Sequence, residues 1–182
     1  MTDIYHTCRC TGQQFTFEEW VEWLDSHGEA GKDSSKFVVL SHNGFDFNIH
    51  DVCLTPNVPV RLLNTYCHVS VKTAQSPNGR WNYGLDVNLH NSSHLHGATF
   101  VDKVENGYET ETDAILAALL DARESADYEL ANCSGRSRSN PDDEDEEDGF
   151  VKDSTLAPHI RNIIKQIDDQ RRATAFKQLT LF

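Results

Sequence analysis

From Lys36 to about Val104 the apolar residues recur at every second position, and that period commits the middle of the chain to β-structure. The clearest stretch is Trp81, Tyr83, Leu85, Val87 and Leu89, alternate residues that fall on one side of a single strand. Ser76-Pro77-Asn78-Gly79 just before it supplies turn-forming residues, so this strand makes a hairpin with the one preceding it. Lys36 to Leu40, the alternation Phe45, Phe47, Ile49, and the runs Val58 to Leu63 and Tyr66 to Lys72 read as earlier strands, and Ala98 to Val104 as a later one.

Helical spacing flanks this region. Thr16-Phe17-Glu18-Glu19 is a capping-box pattern, after which Phe17, Trp20, Val21 and Leu24 make an apolar stripe that Gly28 is placed to end. Glu18, Glu19, Glu22 and Asp25 fall on the other side as a solvated face. Thr110-Glu111-Thr112-Asp113 opens a second helix, which carries Ile115, Leu116, Leu119 and Leu120 toward Leu130. Pro158 suits the first turn of a third, whose Ile160, Ile163, Ile164 and Ile167 form one stripe that must cover some surface. The economical architecture is α+β: an antiparallel β-meander with a helix on one face, plus a separate C-terminal helix.

Four segments follow: an acidic α+β body over 1–131, a flexible linker over 132–154, a basic amphipathic helix over 155–177 and a tail over 178–182. The linker runs from small polar residues with Arg136 and Arg138 into Asp142-Asp143-Glu144-Asp145-Glu146-Glu147-Asp148, a composition that cannot bury enough surface to order itself. No stretch approaches the roughly 18 apolar residues of a membrane span, and Met1 to His6 lacks the basic and apolar runs of a secretory signal. A cytoplasmic protein without membrane contact is therefore expected. The five cysteines, at irregular spacing, suit a reducing compartment and do not form a disulfide framework.

Charge excludes one class of partner. Of 29 acidic and 16 basic residues in the whole chain, residues 136–182 hold 10 and 8, leaving 19 and 8 for residues 1–135, a net charge of −11. The conspicuous acidic run is offset by neighbouring bases, whereas the body is acidic throughout. Nucleic-acid affinity rests largely on Lys and Arg contacts to phosphate, so direct nucleic-acid binding by the body is not expected.

The candidate chemistry is sparse. His6, Cys8 and Cys10, completed by His50 and Cys53, are the available ligands for a zinc site, but Cys8-Arg9-Cys10 and His50-Asp51-Val52-Cys53 lack the paired knuckles of structural zinc, and no cofactor is expected. His90, His94 and His96 cluster around Asn91-Ser92-Ser93, where a hairpin loop is expected, and His94 and His96 face the same way on a strand. There is no Gly-x-Ser-x-Gly elbow and no glycine-rich phosphate loop, so a non-catalytic protein is the leading expectation. Trp81 and Tyr83, with Phe45 and Phe47, have the aromatic content of a base-stacking platform; with only Lys72 and Arg80 nearby they read as core.

The end of the chain carries the sharpest motif. Gln178-Leu179-Thr180-Leu181-Phe182 resembles the bacterial sliding-clamp-binding peptide, in which a Gln amide and apolar anchors fill a groove on the clamp. That resemblance implies the clamp as a partner through these five residues. In size, acidity and lack of catalytic motifs the chain also resembles the small inhibitors carried by phages and mobile elements, of the anti-CRISPR and anti-restriction type. This second resemblance implies a DNA-mimicking surface and a bacterial nucleic-acid-binding enzyme, such as an RNA-guided nuclease, as target. Two alternatives stand beside it: a DNA replication or repair accessory recruited by the clamp, and a metal-dependent enzyme built on the histidines and cysteines.

Overall fold

The computed structural model describes residues 3–28, 33–135 and 153–179, and its fold is α+β. Eight strands run in chain order: β1 (His6–Cys8), β2 (Gln13–Phe15), β3 (Val38–His42), β4 (Phe45–Asn48), β5 (Asn57–Leu63), β6 (His68–Gln75), β7 (Trp81–Asn88) and β8 (Ser93–His96). Three α-helices, α1 (Phe17–Ser26), α2 (Glu111–Gly135) and α3 (Asp153–Leu179), complete the described structure. β1 pairs with β2 and β3 with β4 as separate antiparallel hairpins, while β5-β6-β7-β8 form a four-stranded sheet in sequence order. This is an antiparallel meander with a helix on one face and a separate C-terminal helix. The Ser76–Gly79 turn closes the β6–β7 hairpin with Gly79 at φ +80°, a conformation that glycine adopts without steric cost.

By its contacts the chain divides into two compact units, and β5, β6 and β7 are each split between them. The first comprises the described residues of 1–59, 72–84 and 97–114. It holds one cluster of Cys8, Phe15, Trp20 and Ile49 and another of Phe45, Phe47, Cys53, Ala74 and Ala98. Within it α1 is capped as its sequence dictates: Thr16 Oγ1 accepts from the Glu19 amide at 3.3 Å and the Glu19 carboxylate accepts from the Thr16 amide at 2.8 Å.

The second unit comprises the described residues of 60–71, 85–96 and 115–182. Val69, Val71, Leu85 and Val87 from the strands, and Leu89 just after β7, are buried in it. From α2 it buries Ala118, Leu119, Ala122 and Ala126, three alanines at four-residue spacing that allow close backbone approach. From α3 it buries Leu156, Ile160, Ile163 and Ile167. The α3 stripe thus finds its surface inside this unit, where Asn64 Nδ2 donates to the His159 carbonyl at 2.8 Å and the Tyr66 ring meets the His159 ring edge-on at 4.6 Å. Arg123 of α2 donates through Nε to Asp168 of α3 at 3.3 Å and also pairs with Asp127.

Several expectations need correction. Ala98 to Val104 is no strand: it touches β-structure through the isolated Val52–Thr99 bridge and then enters a 3-10 turn at Val104–Asn106. The fourth strand of the sheet is instead β8, Ser93–His96, which follows the hairpin loop expected around Asn91-Ser92-Ser93 and carries Leu95 as its one apolar residue. The apolar stripe of α1 is rotated, for Phe17 is 56% and Val21 39% exposed, while Trp20 is buried and Trp23 and Leu24 are half-buried. Leu120 is likewise exposed on α2. That helix runs on to Gly135, so residues 132–135 of the expected linker are helical, whereas 136–152 lie outside the described residues.

The α3 register is testable. Ile163→Ala should cost about 2–4 kcal/mol, the range for truncating a buried branched side chain, and the half-buried Ile164→Ala less than half of that. Urea unfolding followed by circular dichroism measures both; equal losses would mean that α3 docks in a different register.

Candidate functional site

Two features of the first unit and one of the second bear on function. The first is the outer surface of α1. Glu18, Glu22 and Asp25 are exposed at i, i+4 and i+7, and among the described residues none of them has a basic partner. Neighbouring like charges at this spacing cost a helix a few tenths of a kcal/mol each, and ordinary solvated faces relieve that cost by alternating sign. α3 does so, with Lys165 pairing to Asp169 at 2.6 Å and Arg172 to the same carboxylate. α1 has no Lys or Arg. At about 1.5 Å rise per residue, the backbone positions of these three acids span about 10.5 Å along the helix axis, a row of like charge on one side of α1.

Beside these acids lies an apolar patch. Phe17 and Val21 are exposed on adjacent turns, and Tyr5 packs edge-on against Phe17 at 5.2 Å with Ile4 exposed next to it in sequence. Exposed apolar side chains ringed by charge are the makeup of a protein-contact surface. The sequence signal for this patch is Trp23: counted as an anchor, it turns the buried face of α1 toward Trp20, Trp23 and Leu24 and releases Phe17 and Val21 to solvent.

The second feature is a group of thiols and a carboxylate. Cys8 ends β1, Cys10 lies in the β1–β2 turn, and Asp51 occupies the turn after β4 at φ +63°, a left-handed conformation that Asp tolerates better than most residues. Asn48 builds that turn, its Oδ1 accepting from the amides of His50 at 2.9 Å and Val52 at 3.0 Å. Asp51 Oδ2 accepts from Arg9 Nε at 2.9 Å, and Oδ1 from the Cys10 amide at 2.9 Å, with Cys8 Sγ 3.8 Å away. Burial first, then the hydrogen bond to Asp51, drives the Cys10 thiol far above its ordinary range. Among the residues proposed from sequence as zinc ligands, Cys8 and Cys10 come together, joined by Asp51. His6 Nε2 instead meets the Ile49 carbonyl at 3.0 Å, His50 Nε2 meets Ser34 Oγ at 2.7 Å, and Cys53 lies in the other hydrophobic cluster. Sequence reasoning misses Asp51 because a carboxylate between His50 and Val52 carries no spacing signal.

The third feature, in the second unit, is a cleft of about 390 Å³ between the β7–β8 hairpin and α2. Val87 and Leu89 are among its apolar lining, and Ser93 and His94 of β8 face Asp121, Glu124, Ser125 and Tyr128 of α2. The His94 and His96 rings are 5.2 Å apart, whereas His90 packs against Tyr66. Carboxylates three residues apart beside a Tyr ring suit a cationic group, which gains from both charge and the ring face.

Phe45 and Phe47 are buried, and Trp81 packs edge-on against Phe45 at 5.8 Å, so these aromatics form core as read from the sequence. Of the clamp-like peptide, Gln178 and Leu179 close α3, and Thr180, Leu181 and Phe182 lie outside the described residues. No helix among the described residues is long and apolar enough to cross a membrane. Comparison with protein-family models, with curated proteins and with solved structures gives no significant match.

The Asp51 network has a stability signature. Asp51→Asn keeps a side chain that tolerates positive φ but loses the Arg9 ion pair, and should cost about 1–2 kcal/mol. Asp51→Ala also strains the turn and should cost about 2–4 kcal/mol. Thermal and urea denaturation of the two variants would show this order; a neutral Asp51→Ala would remove Asp51 as a structural anchor.

Proposed function

We propose that this chain is a non-catalytic inhibitor of a nucleic-acid-binding enzyme, acting in the bacterial cytoplasm through an acidic surface that stands in for DNA. The observation that carries this reading is the exposed carboxylate row Glu18, Glu22, Asp25 on α1, which has no basic partner among the described residues, in a body whose residues 1–135 hold 19 acids against 8 bases. Lys and Arg side chains that line a nucleic-acid channel respond to such a row as they do to phosphates. The exposed Phe17, Val21 and Tyr5 add what DNA lacks, an apolar contact that gives a protein mimic affinity beyond charge. The cleft lined by Asp121, Glu124 and Tyr128 supports the same reading, as a receptor for a basic side chain of the target. By chemistry and by the compositional resemblance to anti-CRISPR and anti-restriction proteins, the target class is an RNA-guided nuclease or restriction enzyme.

A second reading draws support from the C-terminal peptide alone. If Gln178 to Phe182 is the working part, the protein is a replication or repair accessory that the sliding clamp brings to DNA. Deletion of those five residues separates the two: an inhibitor keeps its activity against the purified enzyme, an accessory loses its effect.

The acidic-surface reading predicts a definite charge and salt response. In DNA-cleavage assays against a panel of restriction and RNA-guided nucleases, the purified chain should inhibit at least one. Inhibition should weaken on the order of tenfold between low and physiological salt, because exposed charge pairs are screened over about 8–10 Å. The triple reversal Glu18→Lys, Glu22→Lys, Asp25→Lys should abolish it while leaving the circular dichroism spectrum unchanged. Salt-independent inhibition, or full potency in the reversed variant, would reject the surface as the effector.

A further inference from the structure

We infer that Cys8, Cys10 and Asp51 form a zinc site, in which both thiolates and Asp51 Oδ1 are the protein ligands and water takes the fourth position. This lies beyond the inhibitor reading and does not depend on it.

The ligand atoms of the three residues all lie within 4.8 Å of one another, and theirs is the one such group with metal-binding potential among the described residues. Tetrahedral zinc, with about 2.3 Å to sulfur and about 2.0 Å to oxygen, holds its sulfur and oxygen ligands about 3.5–3.8 Å apart. The 3.8 Å between Cys8 Sγ and Asp51 Oδ1, where the thiol donates to the carboxylate, is close to that separation. Two sulfurs with one oxygen favour zinc over magnesium or calcium, which take oxygen-rich shells.

The surroundings of Asp51 complete the argument. Arg9 Nε holds Oδ2 at 2.9 Å, which directs Oδ1 toward the sulfurs; metal-ligating carboxylates are characteristically held this way by a hydrogen-bonding partner behind them. Oδ1 accepts from the Cys10 amide and, at 3.8 Å, from the Cys8 thiol; loss of the thiol proton frees that second lone pair for a cation. Charge balances as well. Two thiolates and a carboxylate carry three negative charges, zinc supplies two positive charges and Arg9 one, so the buried group is neutral when loaded. Binding releases one proton from each thiol, with no change of oxidation state. Cys8 and Asp51 are buried, while Cys10 is half-exposed and provides the route by which an ion enters. The metal would clamp the β1–β2 turn to the turn after β4.

The test uses the full chain. Expressed in zinc-supplemented medium and purified without chelator, it should carry about one zinc per chain by elemental analysis. The double variant Cys8→Ser, Cys10→Ser should carry less than a tenth of that. Arg9→Gln, which removes no ligand, should weaken zinc affinity on the order of tenfold. Because the double variant can fail to fold, the wild-type chain is also stripped of metal and titrated with Co²⁺, which should produce a thiolate-to-cobalt charge-transfer band and the release of two protons per metal. Wild-type chain that binds neither ion, cobalt bound without the charge-transfer band, or zinc retained in the double variant would overturn the assignment.

Discussion

Asp51 ties together parts of the first unit that are far apart in sequence. Its carboxylate holds Arg9 and Cys10 of the N-terminal hairpin, and its carbonyl accepts from the Phe100 amide at 2.7 Å, in the segment after β8. Next to it Val52 pairs with Thr99, and Gly97 lies so close to Val52 Cγ1 that a Cβ there has no room. A short hairpin such as β1–β2 is marginal alone in water. Its persistence here rests on burying Cys8 and Phe15 against Trp20 and Ile49, and on the polar anchor that fixes where the turn docks. The backbone strain at Asp51 is thus offset by three partners drawn from two remote segments.

The charge distribution around this anchor is selective. Acids with structural work are paired: Asp51 with Arg9, Asp168 with Arg123, Asp169 with Lys165 and Arg172. Among the described residues, the acids of α1 beyond its cap are not. Glu19 closes the capping box, but Glu18, Glu22 and Asp25 add nothing to helix stability beyond the favourable first-turn position of Glu18. A surface that tolerates mutual repulsion beside exposed Phe17 and Val21 forgoes stability that alternating charges would have provided. Solubility alone does not require that combination, since the apolar half works against it.

Much of the fold was legible in the residues because each local signal agreed with its neighbours. The alternation from Trp81 to Leu89 with Ser76–Gly79 before it, the capping box at Thr16, and the isoleucine stripe of α3 each marked an element, although α3 begins at Asp153 and so has Pro158 inside it, past the first turn where the sequence put it. What escaped was whatever depends on tertiary context. β8 has no apolar alternation, since an edge strand with Leu95 exposed at 69% buries little and is specified by its pairing to β7. Ala118, Ala122 and Ala126 carry little hydrophobic weight in a sequence, yet they mark the buried side of α2 better than Leu120 does. The candidate metal ligands illustrate the same limit: Cys8 and Cys10 stand out as thiols, whereas Asp51 becomes visible only when the chain closes a loop of 43 residues back to Cys8.

α3 runs into the start of the C-terminal peptide. The helix continues through Leu179, so the first two residues of Gln178 to Phe182 are helical in the free protein. The final turn of any helix lacks partners for its last carbonyls, so opening it sacrifices few hydrogen bonds. Ile160, Ile163 and Ile167 lie farther back on α3 and are buried, so the docking of the helix in its unit does not depend on that last turn.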